Sequence, residues 1–307
     1  MNYSMNVGFC SGLAAVGISM FALGSAQATT FFEEKFECPI GGEKFKAQVV
    51  ASNSTWGQRA DGKPYGALAI WPIPECPDNG LILFEDKFEE DELALLAKAI
   101  ATPEYQSMRE IDTPRFRLFW LKRAIGRPVG EQLGALLQAT WQTDEDWPRK
   151  IRYQAEFVKQ TTGWKRPTGT NSDDLETWFW MNMRAVNALR ELGYYPEGLK
   201  HLRFVMKEAH LPKEPDAKEN AEFFGSQLET LLLEENPNPE PTNLTPVHIG
   251  RFRCVTGKEL TPVELETCAT EQFAAAIQEF EFKPKGAKKL TGRSAIQAAH
   301  DEYRHQK

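Results

Sequence analysis

Asn187-Ala188-Leu189-Arg190-Glu191-Leu192-Gly193-Tyr194-Tyr195-Pro196-Glu197-Gly198-Leu199-Lys200-His201-Leu202 reads as a helix, a stop and a second helix. The Leu-Gly-x-Tyr run closes the first, predicted over 173–192; the second is predicted over 196–209. Outward from that turn the helical pattern recurs. A helix over 89–101 has acids at its front and Leu93, Leu96, Ala97 and Ile100 on one stripe, and it stops before Pro103. Thr113-Pro114 is an N-cap followed by proline at the first helical position, opening 115–125. Further helices are predicted over 129–140, 147–161 and 217–234. The chain is therefore mainly α, with a helical domain over 89–235.

Asn187 to Leu202 also resembles one tetratricopeptide repeat across its turn, with Gly198 where a small residue lets the second helix pack closely. Phe119, Leu121, Ile125, Leu133, Leu136, Leu137 and Trp141 mark an earlier, less regular helix pair. A tetratricopeptide-like body implies a concave face that takes a peptide or protein. Trp180, Arg184, Asn187 and Arg190 share one face of the helix over 173–192 and are the candidate binding residues.

The segment 29–88 is different, rich in Gly, Pro and short apolar runs, with strands predicted over 45–50 and 66–71. It carries Cys38-Pro39-Ile40-Gly41-Gly42 and Cys76-Pro77-Asp78-Asn79-Gly80. Each resembles the C-P-x-C-G knuckle of a zinc ribbon, with Gly41 and Asn79 where the second cysteines would stand. The resemblance implies a ribbon-like β head whose metal a disulfide has replaced; two unrelated Cys-Pro turns are the alternative. Knuckles in front of tetratricopeptide-like helices resemble an uncharacterised bacterial family of that architecture over roughly 36–209, which implies a fold more than an activity.

Pro237, Pro239, Pro241 and Pro246 mark 236–250 as a stiff linker. Beyond it, 251–307 is a short helical segment in which Thr261-Pro262-Val263-Glu264 is a capping box opening one helix to about Glu279. Residues 283–307 hold seven Lys/Arg against two acids, a local +5 in a chain whose net charge is −7. Such a tail is a solvated end or a dock for an acidic partner or anionic lipid.

Residues 1–28 contain no Asp, Glu, Lys or Arg, and an apolar run from Val7 to Leu23 precedes Ala26-Gln27-Ala28. This reads as a signal peptide cleaved after Ala28, placing the protein in the periplasm or outside the cell; a retained anchor is the alternative. Export makes disulfides the first reading of Cys38, Cys76, Cys254 and Cys268. Local closure favours Cys38–Cys76 and Cys254–Cys268, worth roughly 4 and 3 kcal/mol by loop entropy.

The five histidines are scattered, and no H-E-x-x-H, G-x-S-x-G, phosphate-binding loop or C-x-x-C is present. No catalytic residue, metal site or cofactor is assigned, and the negative balance argues against nucleic acid as a partner. The expectation is an exported, non-catalytic interaction protein of the cell envelope, not membrane-spanning once processed. The alternative is an envelope glycan binder or hydrolase using Trp141, Trp147, Trp164, Trp178, Phe179 and Trp180; the last three cannot all face inward from one helix.

Overall fold

The computed structural model describes residues 30–66, 68–168, 172–208 and 215–304. The expected signal peptide over 1–28 lies outside them. Among the described residues the chain is mainly helical, with three small two-stranded sheets, and no helix is long and apolar enough to cross a membrane.

Strands β1 (Thr30–Glu37) and β2 (Lys44–Ser52) form an antiparallel hairpin with Phe36 opposite Phe45 and Phe32 opposite Val49. Strand alternation puts those four on one face and Glu33, Lys35, Lys44 and Lys46 on the other, where Lys46 pairs with Glu33 at 2.5 Å. A shorter hairpin follows, β3 (Thr55–Gln58) and β4 (Pro64–Gly66). Of the strand expected over 66–71, Gly66 is in β4 and the described residues 68–71 are not in a strand. The Asn53 side chain donates to the Leu68 carbonyl (2.7 Å) and accepts from the Leu68 amide (3.2 Å), taking the place of a ladder partner.

Helices α1 (Glu90–Ile100), α2 (Pro103–Ile111), α3 (Pro114–Ala124), α4 (Val129–Gln142), α5 (Trp147–Gly163), α6 (Ser172–Glu191), α7 (Tyr195–Glu208) and α8 (Pro215–Leu233) build the body. From α3 onward each packs on the next. Sequence reading missed α2. α1 stops before Pro103 as expected, but the same place also opens a helix: the Thr102 hydroxyl accepts from the Tyr105 amide just as the Thr113 hydroxyl accepts from the Phe116 amide before α3. At the α6–α7 turn Gly193 has φ 80°, and the Tyr194 amide donates to the Leu189 carbonyl at 2.9 Å. Gly198 is needed for close packing, but mainly against α8: a Cβ there would stand 2.6 Å from Leu232 Cδ2.

The proline-rich segment is not a spacer. Asn236, Pro241, Thr242 and Thr245 are buried, and α9 (Val247–Thr256) begins inside the expected linker. The single helix expected to 279 is two, α10 (Pro262–Ala269) and α11 (Glu271–Gln278), broken at Thr270, whose hydroxyl caps the second. The capping box at Thr261 and Glu264 forms as expected. A hairpin of β5 (Glu281–Phe282) and β6 (Leu290–Thr291) then leads to α12 (Gly292–Arg304), so the described part of the basic tail is a hairpin and a helix.

Both disulfides join the cysteines that local closure favours, Cys38–Cys76 and Cys254–Cys268. The cysteine turns share one core with the helices. Cys38, Cys76, Leu81 and Ile82 pack with Leu96, Tyr105, Leu121, Leu136 and Phe157. A second core joins α6 to α8, and a small third one holds Cys254, Phe273, Ile277 and Ile296.

Candidate functional site

The two cysteine turns are built alike. The Cys38 amide donates to the Glu43 carbonyl (2.8 Å) and the Gly42 amide to the Cys38 carbonyl (3.0 Å). The Cys76 amide donates to Leu81 (2.9 Å) and Gly80 to Cys76 (2.8 Å). Gly42 and Gly80 occupy the left-handed region at φ 73° and 77°, which a glycine takes without steric cost. Gly41 and Asn79, where a ribbon has its other cysteines, face one another: a Cβ on Gly41 would stand 3.7 Å from Asn79 Nδ2. That nitrogen donates to the Ile40 carbonyl at 2.7 Å. These residues do not fit zinc, because the two sulfurs are bonded to each other and neither Gly41 nor Asn79 offers a thiolate. No group of three or more metal-ligating side chains occurs among the described residues.

The expected binding residues Trp180, Arg184, Asn187 and Arg190 do lie together, but not on an open face. Asn187 and Arg190 are fully buried, Arg184 nearly so, and Trp180 half-buried against Phe224. The chain itself covers them. Arg190 Nη1 donates to the Asn236 and Asn238 carbonyls (2.6 and 2.7 Å), and its Nε and Nη2 to Asn187 Oδ1. Arg184 Nη1 donates to the Ala60 carbonyl at 2.7 Å, and its guanidinium lies over the rings of Trp180 and Phe224. Burial lowers the Arg184 pKa to about 10, with Asp61 acting in the opposite direction.

These side chains end a longer buried network. Arg59 donates to Asp61 (2.5 Å) and Asp144 (2.8 Å); Asp144 also accepts from Lys63 (2.5 Å) and Lys150 (2.8 Å). Glu191 accepts from Gln154 (2.7 Å) and Asn187 (2.8 Å). Burial pushes Asp144 up, but Arg59 and Lys150 outweigh it and hold the carboxyl well below the usual range. The network ties the β3–β4 turn to α4, α5 and α6 and to the proline-rich segment. Its chemistry is internal pairing of charge.

The aromatic cluster is likewise spent in packing. Trp178 and Phe179 are 2 % exposed, and Trp141, Trp164 and Trp180 are half-buried against the cores. Only Trp147 of the six is exposed, so they form no platform.

Open space lies elsewhere, between the apolar face of the β1–β2 hairpin and α3. A groove of about 1030 Å³ is lined by Phe36, Val49, Trp71, Phe84, Phe88 and Leu118 together with eight charged residues, four acidic and four basic. Trp71 is half exposed and separates this groove from a second depression that reaches Phe31. Phe31 and Phe32 are 46 % and 47 % exposed, and β1 pairs only with β2 among the described residues, leaving its outer backbone edge without a strand. Sequence reading missed this site. Phe31, Phe32, Phe36 and Trp71 were its signal: large apolar side chains on a segment too short to bury them by itself. No family model matches the chain, and no match to it was found among curated proteins or solved structures.

Proposed function

We propose that this is an exported, non-catalytic interaction protein of the cell envelope that holds an extended segment of a partner polypeptide in the groove between β1–β2 and α3. The observation that carries the reading is a groove of about 1030 Å³, lined by aromatic, aliphatic and charged side chains, beside a strand edge open among the described residues. An extended peptide meets both needs at once: backbone hydrogen bonds along β1, and alternate side chains among Phe36, Val49, Trp71 and Leu118 in the groove. Two disulfides and the small-residue site at Ala26-Gln27-Ala28 support export. The paired cysteine turns support descent of the head from a zinc ribbon whose metal role has passed to the disulfide.

The test is a selection of displayed random peptides on the purified protein, followed by affinity measurement against wild type and Trp71→Ala. Selected peptides should be apolar at alternate positions and should bind the variant at least tenfold more weakly. Peptides that bind both proteins equally would place recognition elsewhere.

A further inference from the structure

We propose that the hairpin joining β5 to β6 is an electrostatic foot that docks the protein on an anionic bilayer surface. Between Phe282 and His300 there is no acidic residue, while Lys283, Lys285, Lys288, Lys289 and Arg293 all fall there and are all exposed. The hairpin concentrates them. Gly286, at φ 77°, and the bond from the Ala287 amide to the Pro284 carbonyl (3.1 Å) turn the chain at the tip. Lys283 and Lys289 stand at the neck, with Lys285 and Lys288 beyond it. Only Lys289 is neutralised, by Glu281 across the strands at 2.5 Å; the other four cations have no ion-pair partner among the described residues. The tip is held on a rigid base, because Ala295 and Ile296 at the start of α12 are fully buried and the Cys254–Cys268 disulfide staples α9 to α10 in the same small core.

The residue types select the occupant. Four of the five cations are lysines, compact charges on flexible stems, whereas recognition of a particular carboxylate or phosphate favours the planar fork of arginine. No aromatic ring lies between the cations to stack on a nucleic-acid base. A diffuse sheet of phosphate head groups asks only for charge at a protruding point. The rest of the chain carries the acidic excess, so the same surface that attracts the tip repels the remainder and fixes which way the protein stands. Docking of this kind is peripheral and reversible, and it is independent of the groove at the other end of the chain.

The experiment is co-sedimentation of the whole protein with vesicles of phosphatidylcholine alone or with about 30 % phosphatidylglycerol, at low and high salt. Each lysine near such a surface is worth about fivefold in binding, so K283Q/K285Q/K288Q should bind about 100-fold more weakly. K98Q/K200Q/K207Q removes three exposed lysines of the body that have no ion-pair partner among the described residues and gives the same net charge; it should bind like wild type. Binding to the anionic vesicles that salt abolishes and that only the tip variant loses supports the proposal. Equal loss in both variants, equal binding to neutral vesicles, or no binding by wild type overturns it. So does tip-dependent retention on an acidic polypeptide without retention on vesicles, which would assign the tip to a protein.

Discussion

Of the patches that set aromatic rings beside cations, two end in opposite states. On α6, Arg184 lies 5.6 Å from the Trp180 ring and 5.3 Å from Phe224. Beside the groove, Lys122 and Arg127 lie 5.3 and 5.9 Å from Phe84. The first patch is closed and the second open, and the anions available explain why. Lys122 and Arg127 find carboxylates at the surface, Glu131 at 2.7 Å and Glu92 at 2.9 Å, so no loop has to descend on them. Arg184 has no carboxylate within ion-pair distance among the described residues, and Arg190 has only the distant Glu191 at 3.8 Å. Their donors are satisfied by backbone carbonyls of the β3–β4 turn and the proline-rich segment, which must pack down to reach them. A cationic face can therefore recruit its own chain as its partner. Once it has done so, it is no longer a binding face.

Removing Arg190 is the severest way to break this contrast. Arg190→Met leaves the Asn236 and Asn238 carbonyls and Asn187 Oδ1 without their donors and Glu191 with less positive charge nearby. A loss of about 3–5 kcal/mol in urea unfolding is expected. A loss below about 1 kcal/mol would show that the proline-rich segment closes the face for other reasons. Next in size is Asp144→Asn, which takes the shared anion from Arg59, Lys63 and Lys150, for about 2–3 kcal/mol at neutral pH. The pH dependence gives its sign. The Asp144 carboxyl sits well below its usual range in the fold, so its contribution is fully present above about pH 4 and is lost progressively as pH falls below that value toward the carboxyl's own depressed pKa. Wild type should therefore lose more stability than the variant between about pH 6 and pH 3. Parallel pH curves would remove Asp144 from the account of acid lability.

The sequence made the helices legible because their ends are written in short-range chemistry: Thr113-Pro114, the Thr261–Glu264 box and the Leu192-Gly193 stop each act within one turn. Thr102-Pro103 is ambiguous in sequence, because one cap-and-proline signal there both follows the end of α1 and opens α2. The disulfide pairing was legible from loop length. The binding face was not. Helical spacing correctly grouped Trp180, Arg184, Asn187 and Arg190 on one side of α6, but spacing carries no information on what covers that side. The cover comes from Ala60, Asn236 and Asn238, acting through backbone carbonyls that every residue possesses. The groove was hidden for a related reason, since it needs β1–β2 and α3 brought together by a core that includes Cys38 and Cys76.

A smaller perturbation tests the closure without removing a charge. Gly62 has φ 85°, and a Cβ there would stand 2.8 Å from Arg184 Nε. Gly62→Ala should strain the turn and push Arg184 from the Ala60 carbonyl, costing about 2 kcal/mol. Faster hydrogen exchange confined to the β3–β4 turn and its contact with α6 would locate that loss. An unchanged exchange pattern would mean that the turn relaxes at no expense to the closed face.

The least destabilising change belongs to the open patch, and its smallness is what makes it informative. Trp71 is half exposed, and its ring is not part of any of the three cores. Trp71→Ala should therefore change unfolding free energy by less than about 1 kcal/mol, although aromatic truncation in a packed core costs about 3–5 kcal/mol. Retained stability with lost peptide affinity would mean that the ring is held for another molecule, since the fold has no use for it. Large destabilisation would mean that the groove is a loosely filled part of the core. In that case the two patches would differ only in packing density, and neither would be a binding face.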